Sequence, residues 1–138
     1  MFKYLGWIIR LLIPAMYHYI TWLFRYSRNP QKYPLKLRYN RARGLALVFL
    51  RILKVDIKAS GKTQLIGAKK FYLIANHVSF LDPVILIAMH EEPISFASKI
   101  EVKKFPFVGR LLTSIDGVFL QRNNLKQEIK AMQEIKKS

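Results

Sequence analysis

Between two apolar runs, the chain reads Asn76-His77-Val78-Ser79-Phe80-Leu81-Asp82, which places an imidazole five positions before a carboxylate. Imidazole is the side chain whose ordinary pKa lies near neutrality, so it can take a proton from a hydroxyl and return it in the next step. A carboxylate bonded to one ring nitrogen fixes the tautomer, stabilises the imidazolium and leaves the other nitrogen facing a substrate. His77 is therefore a candidate general base and Asp82 its orienting acid. The 138 residues include no cysteine, and Ser79 has no G-x-S-x-G surround, so no protein nucleophile presents itself. Direct attack by a substrate hydroxyl is the expected chemistry. Two plainer readings compete: a satisfied loop histidine, and an Asp82 that only caps a helix.

The flanking elements should hold this pair in place. Phe71-Tyr72-Leu73-Ile74-Ala75 is an uninterrupted apolar run of strand length. Asp82-Pro83, followed by Val84 to Met89, reads as an N-cap, a first-turn proline and a buried helix. The histidine then falls in a strand-to-helix loop, where α/β folds gather their chemistry.

Asn76-His77-x-Ser79-x-x-Asp82-Pro83 resembles the first signature block of the glycerolipid acyltransferases. Ala97-Ser98-Lys99-Ile100-Glu101 and Phe105-Pro106-Phe107-Val108-Gly109 resemble that family's connecting segment, and Gly117-Val118-Phe119-Leu120-Gln121-Arg122 resembles its second block. Together the ordered matches run from Phe71 to Arg122, which is far more specific than one His–Asp pair. The resemblance implies that His77 deprotonates a glycerol hydroxyl, which attacks an acyl thioester of coenzyme A or acyl carrier protein, and that Arg122 holds the acceptor's phosphate. No further cofactor is expected. A guanidinium is suited to the phosphate role, being a rigid fork of donors that stays charged. Asn76 and Ser79 are expected to shape the loop and assist binding. The resemblance also implies a third block with a Phe-Pro-Glu-Gly-Thr-like stretch beyond Arg122. Here Asn123 to Ser138 reads as a helix instead. The expectation is a C-terminally truncated, incomplete domain.

Hydrophobic residues make up 51% of the chain and concentrate at its start. Residues 1 to 24 contain only Lys3 and Arg10 as fixed charges. The uncharged run Leu11 to Phe24 contains Pro14 and is shorter than the ~20 residues a crossing helix needs. Trp7, Tyr17, Tyr19, Trp22 and Tyr26 are aromatics that favour the headgroup level. The expectation is a helix lying in one leaflet, with Pro14 as the place for a kink. Export is disfavoured by the basic segment that follows and by the lack of a small-residue cleavage site.

Net charge is +16, and no acid precedes Asp56. Eleven cations lie between Arg25 and Lys62 (Arg25, Arg28, Lys32, Lys36, Arg38, Arg41, Arg43, Arg51, Lys54, Lys58, Lys62), a run that suits an anionic cytoplasmic leaflet. Within it, Leu35 to Lys54 has helical spacing through Ala42, Leu45, Ala46, Phe49 and Leu53. That helix either lies on lipid as the second half of a monotopic anchor or packs as ordinary core.

Beyond it, Val55 to Ala59 alternates like a half-buried strand. Ile94–Ala97 and Gly117–Leu120 read as further strands, and Phe107–Ser114 as a short helix. The expected fold class is α/β, a mainly parallel sheet with flanking helices, preceded by an N-terminal membrane-associated helical anchor. The expected division is residues 1–54 as anchor with basic segment and 55–138 as a partial acyltransferase domain. His18 is expected at the interface and His90 in a structural role.

The resulting expectation is an acyltransferase of phospholipid synthesis at the cytoplasmic face of the cell membrane. Its partners would be a lipid surface, acyl-CoA or acyl carrier protein, and a phosphorylated glycerol acceptor such as lysophosphatidic acid. A catalytically inactive membrane-binding fragment of such an enzyme is the alternative. A nucleic-acid binder, suggested by charge alone, ranks last, because the basic run abuts an apolar helix and no nucleic-acid motif is visible.

Overall fold

The computed structural model describes residues 2–60, 73, 74, 76, 79 and 81–121. The chain opens with α1 (Phe2–His18), passes through a π turn (Tyr19–Leu23) into α2 (Phe24–Arg28), and then through a 3-10 turn (Pro30–Lys32) into α3 (Leu35–Ile52). Later come α4 (Asp82–Met89), β1 (Ala97–Lys99), a second 3-10 turn (Ile100–Lys104), α5 (Pro106–Ser114) and β2 (Val118–Leu120). Among the described residues the protein is rich in helix, and its one sheet is a parallel pair with Ala97 opposite Val118 and Lys99 opposite Leu120.

Pro14 lies inside α1, and the departure from α geometry comes later, where the Phe24 N–H reaches the Tyr19 carbonyl. Local side-chain bonds accompany it. The Thr21 hydroxyl donates to the Tyr17 carbonyl at 2.7 Å, and the Trp22 indole N–H donates to His18 Nδ1 at 2.6 Å. The turn lets two consecutive residues, Trp22 and Leu23, enter the core. None of the described helices is both long and apolar enough to cross a membrane.

Of the two roles open to the second long helix, the core role is observed. Tyr39, Ala42, Leu45, Ala46 and Leu50 of α3 are buried together with Trp22, Leu23 and Tyr26 on one side and Ile87, Ala88, Leu112 and Ile115 on the other. One cluster thus runs across residue 54.

The strand expected at Val55–Ala59 is absent. Val55 N–H bonds the Leu50 carbonyl at 3.0 Å and Lys54 N–H the Arg51 carbonyl at 3.1 Å, with Lys54 at φ 56°. This is a Schellman cap, sealed by contact between Val55 and the cluster containing Leu50. Val55 and Ile57 do alternate in burial with Asp56 and Lys58, but the backbone of Val55 is committed to ending α3. At Phe71–Ala75, Leu73 and Ile74 are described. Neither is in a strand, and they are 46% and 95% exposed. An apolar run states what can be buried; a central strand also needs paired neighbours on both sides, and among the described residues none covers Ile74. The other three residues, and the helix expected over 123–138, lie outside the described residues.

Candidate active site

Of the five candidate residues, Asn76, Ser79 and Asp82 are described, while His77 and Arg122 lie outside the described residues. The structure brings Ser79 and Asp82 together. Asp82 Oδ2 accepts the Ser79 N–H at 2.8 Å, Ser79 Oγ accepts the Leu81 N–H at 3.1 Å, and the Ser79 carbonyl accepts the Asp82 N–H at 3.2 Å. The start of α4 at Asp82, with Leu81 as its N-cap, follows a polar turn closed by those three bonds. It corrects the expectation that Asp82 caps the helix. The Asp82 carboxylate reaches back, and the Ser79 N–H donates to its Oδ2. Asn76 is exposed.

Helix α4 carries this loop, and α3 holds α4. The tail of a helix leaves carbonyls without partners. Here Arg43 Nε donates to the Ala88 carbonyl at 3.1 Å, and the Tyr39 hydroxyl lies 3.4 Å from the Ile87 carbonyl and 3.3 Å from that of His90. Arg43 also suits the negative end of the α4 dipole, as Asp82 suits the positive end. Burial pushes the Tyr39 phenol up to about 12, so it remains a neutral donor. His90 turns its Nδ1 to the Leu86 carbonyl at 3.0 Å, in keeping with a structural role.

The later motif segments converge on the parallel pair. Ala97-Ser98-Lys99 forms β1, and Pro106 opens α5. A Cβ at Gly109 would collide with the Lys103 backbone, so this glycine lets α5 lie directly on the preceding 3-10 turn. At the other end of α5, Gly117 N–H bonds the Leu112 carbonyl at 2.7 Å and Asp116 N–H the Thr113 carbonyl at 3.3 Å. This is a second Schellman cap, with Asp116 in the left-handed region at φ 56°. A Cβ on Gly117 would stand 2.8 Å from the Leu112 carbonyl oxygen. The segment therefore turns sharply into β2.

One group escaped the sequence reading. Arg38, counted there among the membrane-facing cations, is 5% exposed. Its guanidinium grips Asp116 with Nη1–Oδ1 at 2.7 Å and Nη2–Oδ2 at 3.0 Å, and donates to the carbonyls of Ser114 at 2.7 Å and Tyr33 at 3.0 Å. Lys36 likewise pairs with Glu92 at 2.7 Å. The usable signal was helical phase, because Arg38 shares the α3 face of Ala42, Leu45 and Ala46. On the opposite side of α3, an open cleft of about 360 Å³ is lined by Lys36, Asn40, Arg43, Gly44, Leu47 and Glu91, none of them a candidate residue. Among the described residues no three His, Asp or Glu side chains are grouped to hold a metal ion.

Comparison with known proteins follows the motifs. The acyltransferase family model matches residues 56–138, more than half of the chain and all of the motif segments. A probable 1-acyl-sn-glycerol-3-phosphate acyltransferase of Mycoplasma genitalium is 29% identical over 143 residues, covering 91% of this chain and 53% of that protein. One of the same description from Mycoplasma pneumoniae is 32% identical over 107 residues, covering 74% of this chain and 40% of its own length. The chain thus spans about half the length of the curated relatives it matches. No solved structure matches it. With ordered motifs inside a family match of this extent, the chain belongs to the acyltransferase family.

Proposed function

We propose that this chain transfers a fatty acyl group from a coenzyme A or carrier-protein thioester to a hydroxyl of a phosphorylated glycerol, converting lysophosphatidic acid to phosphatidic acid. The observation that carries the reading is the family match across every motif segment, reinforced by the fixed carboxylate of Asp82. In this reading His77 removes the hydroxyl proton as the oxygen attacks the thioester carbonyl. The tetrahedral intermediate then collapses, the C–S bond breaks, and the departing sulfur takes the proton from His77. Asp82 orients the imidazole through its carboxylate. Arg122 holds the acceptor phosphate, and Asn76 and Ser79 shape the loop.

The setting of the reaction is proposed to be the cytoplasmic surface of an anionic bilayer. Ile9, Leu12, Ile13, Met16, Tyr17, Ile20 and Phe24 form one exposed stripe along α1, the π turn and α2, flanked by exposed Arg10, Arg25 and Arg28. Exposed apolar area of this extent beside cations suits insertion into one leaflet.

The test is an acyl-transfer assay with lysophosphatidate and either acyl-CoA or acyl carrier protein as donor. His77→Ala is expected to lower the rate by roughly 10²–10⁴-fold, the usual contribution of a general base. An unchanged rate removes His77 from the mechanism. Vesicle binding with no turnover of either donor supports the inactive-fragment reading instead.

A further inference from the structure

The second motif block enters its strand through an unusually constrained joint. Three separate bonds hold it. The Asp116 carboxylate is gripped by the buried Arg38 fork, the Asp116 carbonyl accepts the Ser95 hydroxyl at 2.6 Å, and Val118 N–H bonds the Phe96 carbonyl at 2.9 Å. Arg38 is also bonded to the Ser114 and Tyr33 carbonyls, so one side chain of α3 spans the end of α5, the start of β2 and the turn before α3 itself. Left-handed backbone at Asp116 and the crowding at Gly117 leave little slack between them.

The strand that follows is only three residues long and pairs with β1 alone among the described residues. So short a ladder sets its register weakly, and a slip of one residue sends every later side chain to the opposite face. Arg122 comes two positions after Leu120. A two-bond fork from a buried arginine is more than a turn of this kind needs, since a Schellman cap closes with backbone bonds alone.

We propose that Arg38 and Asp116 are positioning residues that fix the register of β2 and, through it, the acceptor-phosphate side of the site. This rests on the phosphate role assigned to Arg122 above. The N-terminal helices then have a part in substrate recognition without touching substrate.

The full chain is assayed with acceptor and donor varied separately, for Arg38→Lys, which keeps the charge and loses the fork, and Asp116→Asn, which keeps the shape and loses the charge. Both are expected to raise the acceptor KM by about tenfold at unchanged donor KM. Both should also speed amide hydrogen exchange in the peptide spanning residues 117–121, with the helical circular dichroism retained. Unchanged exchange there, or a loss confined to the fraction of folded enzyme with both KM values intact, overturns the proposal. Arg122→Ala separates the two ways of failing. An unaltered acceptor KM in that variant overturns the role of Arg122 and the proposal with it. A raised KM there, with Arg38→Lys and Asp116→Asn unaffected, overturns the brace alone.

Discussion

A strongly apolar helix of this protein faces outward, and one of its most basic helices lies in the core. Helix α1 and its continuation expose Ile13, Tyr17 and Ile20 at about two-thirds each. Helix α3, with five cations, buries Tyr39, Ala42, Leu45, Ala46 and Leu50 and even hides Arg38. The difference lies in who offers a complementary surface. Helix α3 has α4 on one flank and the α5–β2 turn on another, and its polar groups find acceptors there: Arg43 on Ala88, Tyr39 beside Ile87, Arg38 on Asp116. A buried polar group is tolerated when such partners are supplied. The outer stripe along α1 and its continuation stays 44–66% exposed, with exposed Arg10, Arg25 and Arg28 beside it.

The contrast can be broken most strongly from the α3 side. Tyr39 is fully buried, and Tyr39→Ala is expected to cost about 3–5 kcal/mol, read as a lower midpoint in urea unfolding. On the α1 side, Ile13→Asp with Ile20→Asp should leave stability within about 0.5 kcal/mol, because both residues are exposed. The same pair should weaken binding to anionic vesicles by roughly 10²–10⁴-fold in a sedimentation assay, given ~1.5–3 kcal/mol for each of two buried aliphatic side chains. If that variant unfolds instead, the stripe is part of the core. A finer probe is Tyr39→Phe, which keeps the packing and removes the hydroxyl near two α4 carbonyls; about 1 kcal/mol of lost stability is expected by the same measurement.

The smallest effect concerns His18 at the joint between the two regions. Burial, and secondarily Arg41, lower its pKa from the ordinary 6.5, and its Nδ1 accepts the Trp22 N–H, which requires the neutral ring. The unfolded chain therefore binds the proton more readily than the folded one. Its contribution is complete above about pH 6.5 and is lost as pH falls through the lowered folded value. A modest drop in melting temperature between pH 7 and 5, blunted in His18→Gln, is the expected outcome.

Much of the site's framework was legible because local rules and tertiary packing agree there. Asp82-Pro83 marked the start of α4, the helix expected over Phe107–Ser114 is α5, and the strand expected over Gly117–Leu120 is β2, each within a residue or two of its observed position. Readings failed where one backbone group could serve two structures. Val55 looked like the first residue of a strand and proved to be the last bond of a helix cap. Asp82 looked like the cap and proved to be the first residue of the helix, its carboxylate turned back to the Ser79 N–H. In both cases the residue type suited either role, and the choice depended on which acceptor stood nearest.

Residue order and spacing by themselves determined the family motifs, the helix starts and the amphipathic character of the N-terminal segment, because these depend on backbone chemistry within a few positions. Only the tertiary structure decided that α3 is core and that Arg38 belongs to Asp116. That ion pair joins residues 78 positions apart. It forms because the packing of α3 against the end of α5 buries Arg38 and surrounds it with acceptors that no local pattern brings together.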